Sequence, residues 1–163
     1  MTTTSEPPSR AFPSEANRYC EILSLSDQAC SSVRPLTVLL STITTPLKQF
    51  ERIHVGDTCD VMRDAVMRMQ RDYCLVFASP DDGFPLGYVA RKRLALELLT
   101  GSRPDVLRLV TIAPCLPISI SVNEALRVLV RKQAQLGVLC DREGAAIGMC
   151  TREVLRCLAE DRL

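Results

Sequence analysis

Tryptophan is absent from this chain, histidine occurs once, and aromatic residues make up 4% of the whole. Its core must therefore be aliphatic. The 47% of hydrophobic residues suffices to bury one domain, or two half-size ones, in 163 residues. An excess of one charge is missing too: 20 Lys and Arg face 19 Asp and Glu, for a formal charge of +1. A nucleic-acid binder would carry a basic excess with interleaved aromatics, so that class is excluded. The cysteines (Cys20, Cys30, Cys59, Cys74, Cys115, Cys140, Cys150 and Cys157) include no C-x-x-C pair, and His54 has no companion histidine. Zinc ligands come in close pairs, so no metal site is expected. The plain expectation for these cysteines is buried, reduced thiols in a cytoplasmic protein. A phosphate loop of the G-x-x-x-x-G-K-[ST] type is lacking, and Ser31, Ser32, Ser119 and Ser121 have no nucleophile-elbow context. With neither metal cluster nor nucleophile no reaction can be written, and a non-enzyme is expected. The longest uncharged run, Leu109 to Val122, is broken by Pro114 and Pro117 and is too short to span a bilayer. Residues 1–17 show neither the charged nor the apolar region of a signal peptide, so the expectation is a soluble chain without direct membrane insertion.

What the chain does have is a repeat. The block Leu86-Gly87-Tyr88-Val89-Ala90-Arg91-Lys92-Arg93-Leu94 returns as Ile147-Gly148-Met149-Cys150-Thr151-Arg152-Glu153-Val154-Leu155. A long internal period signals a duplicated supersecondary unit. Residues 1–16, rich in Thr, Ser, Pro and Glu, read as a disordered tail, and 17–29 as a short helix. Leu36 to Ile43 and Phe50 to Val55 read as extended. Asp57 is the expected N-cap of a helix with Val61, Met62, Ala65, Val66 and Met69 on one face. A buried strand at Leu75–Ala78, a Pro80–Gly83 turn, a strand at Leu86–Val89 and a helix at Lys92–Leu99 follow, closed by Gly101 and Pro104. The second unit repeats the order. Ile118–Val122 reads as extended, Ser121 with Glu124 fits a capping box, and Ala125, Leu126, Leu129 and Val130 form the helical face. Val138–Cys140 and Ile147–Cys150 are strands around the Asp141–Gly144 turn, and Arg152–Leu158 is the last helix. A three-stranded sheet cannot bury both faces alone, so the two units should pack together.

Two β-α-β-β-α units, each ending in a glycine and an apolar pair before a helix, resemble a tandem cystathionine-β-synthase (CBS) domain pair, the Bateman module. Gly137 to Leu155, reading G-V-L-C-D-R-E-G-A-A-I-G-M-C-T-R-E-V-L, is similar to the cytosolic repeat of CorC-like (hemolysin C-like) magnesium and cobalt efflux proteins. There the pattern runs apolar strand, D-E-x-G-G-x-x-G, then V-T-x-E-D. Thr44-Thr45-Pro46-Leu47 resembles the family's M-T-P segment. The resemblance implies an α/β (α+β) fold of two repeats packed pseudo-symmetrically, 33–103 and 104–163, after a tail at 1–32. It also implies a cleft between the repeats that binds AMP, ATP or Mg-ATP, or serves in dimerisation. The family's membrane-spanning domain is not among these residues. Transport by this chain alone is therefore not expected; it would be a free-standing relative or the cytosolic part of something larger.

In the family a Thr or Ser, with an Asp three residues later, typically holds the nucleotide's ribose. Here Thr151 is kept but Val154 stands at the Asp position, while in the first unit the two positions are Ala90 and Arg93. A carboxylate accepts hydrogen bonds from vicinal hydroxyls; neither Val nor Arg can. The candidate ligand-binding residues are Thr151, Arg152, Arg91, Lys92, Arg93 and Thr45. Thr151 reads first as an N-cap, and the same hydroxyl could also contact a ligand at the positive end of a helix. Three cations at the N-terminus of the helix at 92–99 oppose its dipole, which marks either an anion site or a solvated charged edge. The acids of the turns, Asp81, Asp82, Asp141 and Glu143, are too few for a calcium cage. Two functions follow. One is a non-catalytic regulatory or assembly module, homodimeric through the long repeat helices, with degenerate nucleotide sites. The other is an adenine-nucleotide or other anion sensor regulating a divalent-metal transporter or another partner protein.

Overall fold

The computed structural model describes residues 43–160. Two units share one plan. The first comprises β1 (Arg52–His54), α1 (Cys59–Arg68), β2 (Tyr73–Phe77), β3 (Gly87–Ala90) and α2 (Arg91–Leu99). A single helical turn, α3 (Val106–Leu109), lies in the connection. The second comprises β4 (Cys115–Pro117), α4 (Val122–Arg131), β5 (Leu136–Cys140), β6 (Ala146–Thr151) and α5 (Arg152–Glu160). Each sheet has its middle strand, β2 or β5, parallel to the first and antiparallel to the third. The expected mixed α/β architecture of two β-α-β-β-α repeats is what forms.

Local chemistry explains where the helices begin and end. Ser121 and Glu124 form the anticipated capping box on α4. On α1 the cap sits one residue later than expected: the Thr58 hydroxyl accepts from the Val61 N–H, whereas the Asp57 carboxylate turns back to accept from the His54 N–H at 2.8 Å. An Asp and a Thr side by side both suit a cap, and the backbone at Thr58 is the one that feeds the helix. Gly101, at φ +78°, ends α2 as expected. A second correction concerns β4. The extended stretch expected at Ile118–Val122 lies upstream at Cys115–Pro117, and Val122 is already helical. Prolines at 114 and 117 argue against a strand, but β4 is an edge strand, where a missing N–H is tolerated. The segments expected at 1–16, 17–29 and 36–42 lie outside the described residues; Ile43 is buried in the core.

The strands read as unbroken apolar runs because both faces are covered. In β2, Cys74 and Val76 pack with Met62, Ala65, Leu94 and Leu98 of the helices. Leu75 and Phe77 point the other way and join Phe50, Tyr88, Leu136, Val138, Cys140 and Met149 in a layer shared by both sheets. Leu116, Leu139 and Cys150 pack under α4 and α5. The order of layers is helix, sheet, sheet, helix. Leu75, Phe77, Leu136 and Met149 are sealed from water in the shared layer, each stabilising the pair by about 1.5–3 kcal/mol. Val61 and Val130, expected on buried helix faces, are instead exposed, and Met62, Ala65 and Leu129 fill the interior.

The cysteines depart in part from the expectation of free thiols. Cys115 and Cys140 are joined by a disulfide between β4 and β5. Cys74 and Cys150 are free and buried, Cys59 is half-buried and Cys157 exposed; Cys20 and Cys30 lie outside the described residues.

The repeated glycine has a steric cause. The backbone of Thr111, leading into the second unit, pairs with Tyr88 of the first through N–H···O=C bonds of 3.0 and 2.8 Å. Reciprocally, Thr45, leading into the first unit, pairs with Met149 of the second at 2.9 and 2.8 Å. Each crossing segment passes over a glycine. A Cβ on Gly87 would strike the Thr111 carbonyl and lie 2.9 Å from Val110 Cγ2; one on Gly148 would strike Thr44 Cγ2 and lie 2.9 Å from the Thr45 carbonyl oxygen. Backbone cannot yield as a side chain can. Gly87→Ala and Gly148→Ala should each cost about 1–3 kcal/mol in urea unfolding, at the upper end for overpacking against main chain. Gly56→Ala, where nothing lies within 4 Å, should stay within about 0.5 kcal/mol of the parent. Equal effects at all three positions would refute the steric account.

Burial also sets an alkaline limit. It pushes the Cys74 and Cys150 thiols from the ordinary 9.0 up to about 12, and raises Tyr73, with Tyr88 adding to the effect. Below the ordinary thiol pKa both native and unfolded thiols are protonated and stability is unaffected. Above it the unfolded chain ionises and the native core does not, so stability should fall as pH rises toward 12. Urea midpoints measured from pH 8 to 10.5 should decline, and less steeply in Cys74→Ala and Cys150→Ala variants.

Candidate functional site

The two crossing segments mark two related positions, each where a third strand meets the following helix. In one, Thr45 lies against β6 at Met149, two residues before Thr151, and Arg152 opens α5. In the other, Thr111 lies against β3 at Tyr88, and Ala90 and Arg91 lead into α2. The fold thus brings Thr45, Thr151 and Arg152 together. It places Arg91, Lys92 and Arg93 at the opposite, first-repeat position.

The same backbone tie holds both helix entrances. The Arg91 N–H donates to the Asp72 carbonyl at 2.7 Å, and the Arg152 N–H to the Gln135 carbonyl at 2.8 Å. The side chains differ. The Thr151 hydroxyl accepts from the Val154 N–H at 3.2 Å, so it caps α5. Ala90, at the equivalent place, offers no side-chain cap to α2. Arg91, Lys92 and Arg93 are all exposed, and Arg152 is half-buried. Val154, 37% exposed, and the exposed Arg93 stand at the two positions where the family resemblance implies a carboxylate. Neither a hydrocarbon nor a pure donor can serve as a hydrogen-bond acceptor there.

One residue absent from the expected set links the two positions. The Tyr88 hydroxyl accepts from the Gln135 N–H at 2.6 Å, across the boundary between the units. The ring meets Tyr73 edge-on, with centroids 5.2 Å apart. Gln135 in turn accepts from Arg152, so Tyr88 of the first repeat braces the helix entrance of the second. The second repeat carries Met149 at the corresponding place and can form no return bond. That Tyr-for-Met difference inside an otherwise matching block was the available signal. Two of the turn acids bond locally: Asp82 accepts from the Ser79 N–H, and Asp141 from the Glu143 and Ala145 N–H groups, each at 2.9 Å. Among the described residues no group of three or more His, Cys, Asp or Glu side chains could hold a metal ion, and no helix is long and apolar enough to cross a membrane.

No protein-family model matches the chain, and no curated protein matches it. Solved structures do. A CBS domain protein from Shewanella oneidensis MR-1 is 20% identical at a TM-score of 0.64, over 74% of this chain and 95% of that one. The CBS domain of a bacterial CNNM/CorC family Mg2+ transporter, in complex with ATP, is 19% identical at 0.60, over 88% and 95%. A CBS-domain pair with bound AMP from Klebsiella pneumoniae is 18% identical at 0.57, over 74% and 95%. The fold is that of CBS-domain pairs, as the sequence resemblance implied.

Thr151→Ala removes the cap on α5 and should cost about 1 kcal/mol in urea unfolding, whereas Thr151→Ser, which keeps the acceptor, should cost little. A serine as damaging as alanine would show that the hydroxyl is not the stabilising group.

Proposed function

We propose that this chain is a non-catalytic regulatory or assembly module of the CBS-pair type, with repeats at 33–103 and 104–163, acting in the cytoplasm as a homodimer. The carrying observation is that neither helix entrance has a carboxylate at the position where the family resemblance implies one, and that Ala90 stands in place of the threonine in the first repeat. The fold retains its reciprocal strand crossings, while Val154 and Arg93 deprive each helix entrance of the group that would bind a ribose diol. Dimerisation through the first helix of each repeat is supported by Met67 and Val130. They occupy the same position of α1 and α4 and are 76% and 51% exposed. Exposed aliphatic side chains at repeat-related places favour a two-fold contact.

A second reading has its own support. Thr151, the N-terminus of α5 and Arg152 offer a hydroxyl, the positive end of a helix dipole and a cation to an anion. Relatives of this fold are seen with AMP or ATP. In that reading the module senses an adenine nucleotide, or Mg-ATP, for a divalent-metal transporter or another partner. A ligand shifts the two repeats only if it binds one arrangement better than the other.

Thermal unfolding with AMP, ATP and Mg-ATP, alongside light scattering, separates the two. A nucleotide at a hundred times its Kd would add about 2.7 kcal/mol of stability. The assembly reading expects a dimer at micromolar concentration, converted toward monomer by Met67→Glu with Val130→Glu, and no shift with any nucleotide. A saturable shift would establish the sensor instead; a monomer with no shift would sink both.

A further inference from the structure

The two sheets correspond strand for strand. Arg52 pairs with Leu75 and His54 with Phe77 in the first; Cys115 pairs with Val138 and Pro117 with Cys140 in the second. Arg52 and Phe77 therefore lie on the same diagonal as Cys115 and Cys140. In the first sheet the diagonal is closed by a cation–π contact, with the guanidinium carbon 3.9 Å from the ring centre. In the second it is closed by a covalent bond between sulfurs whose Cα atoms are 6.4 Å apart, inside the usual span of roughly 4.4–6.8 Å.

The location gives that bond leverage. Cys140 is wholly buried in the layer shared by the two repeats, beside Phe50, Phe77, Tyr88 and Met149. Cys115 is half-buried and packs against the same layer. The bond anchors β4, a three-residue edge strand that ends in a proline. β4 is otherwise flanked by the bonds from Val138 N–H to the Pro114 carbonyl and from Ile118 N–H to the Cys140 carbonyl, both 2.9 Å. Four residues upstream of Cys115 is Thr111, the segment that crosses to the first repeat at Tyr88. Whatever loosens β4 loosens the crossing.

We propose that Cys115 and Cys140 form a reversible thiol–disulfide pair that sets how firmly the second repeat's edge strand, and with it the Thr111 crossing, is held against the shared core. This inference concerns the fold's own seam and stands whether or not the helix entrances bind a nucleotide. With glutathione disulfide as oxidant, the Cys115 thiolate attacks one of its sulfurs, the glutathione S–S bond breaks, and a glutathione thiolate leaves and takes up the proton Cys115 lost. The deprotonated Cys140 then attacks the Cys115 sulfur of the mixed disulfide and expels the second glutathione, which is protonated in turn. Two protein thiols become one disulfide, and two electrons reduce one glutathione disulfide to two glutathiones.

The test equilibrates the full chain in glutathione buffers from reducing to oxidising, traps thiols by acid and alkylation, and maps peptides by mass. The expected result is a Cys115–Cys140 linked peptide that grows with oxidation and disappears with dithiothreitol. In parallel, hydrogen exchange at 111–118 should slow by at least about tenfold in the oxidised wild type, because exchange there reports local opening of β4. Cys115→Ser, which alters only the half-buried partner, should exchange like the reduced protein in every buffer. Retention of both thiols in the oxidising buffer would overturn the pair. A linked peptide without slowed exchange at 111–118 would overturn the coupling to the crossing.

Discussion

The structure depends on two short stretches of backbone changing sides. Thr45 and Thr111 each precede one repeat and hydrogen-bond to the last strand of the other. The crossing backbone lies so close over β3 and β6 that a Cβ at the residue beside each bridge would strike it. Gly87 and Gly148 stand there, and the exchange is what makes two three-stranded sheets one body. Without it, Leu75, Phe77, Leu136 and Val138 would leave an apolar face on each half exposed to water.

Duplication supplied the symmetry, and the departures from it are informative. The first repeat braces the second through Tyr88 and Gln135, with no bond returning from Met149. The second repeat keeps a hydroxyl cap at Thr151, where the first has Ala90. One sheet closes a diagonal with Arg52 on Phe77, the other with Cys115 and Cys140. The module thus has two helix entrances of unlike chemistry, one capped and braced and one bare and cationic.

The repeat, the order of elements and the apolar strands were legible because each rests on local periodicity. The capping box at Ser121 and the turn at Gly101 were legible because they are chemistry within a few residues. The cap at Thr58 and the strand at Cys115–Pro117 were misplaced for the opposite reason. Two adjacent residues could both cap, and prolines deter a strand unless its edge position is known. Val61 and Val130 fit a buried helical face by spacing, yet the face that packs is narrower and turned toward Met62, Ala65 and Leu129. Thr151 and the Arg91–Arg93 run were found as candidates from the repeated block, whereas Tyr88 was passed over because its partner is a backbone amide far along the chain.

The sequence by itself determined the existence of two copies, the layering of apolar strands beneath amphipathic helices, and the want of acidic acceptors at 93 and 154. The first two follow from residue type and spacing alone, and the third from the family resemblance. Tertiary structure decided which segment crosses to which repeat, why the shared glycines must be glycines, and that Cys115 meets Cys140. Each of these is a contact between residues far apart in the chain, set by how two sheets pack, and close approach in space leaves no periodic trace in the order of residues.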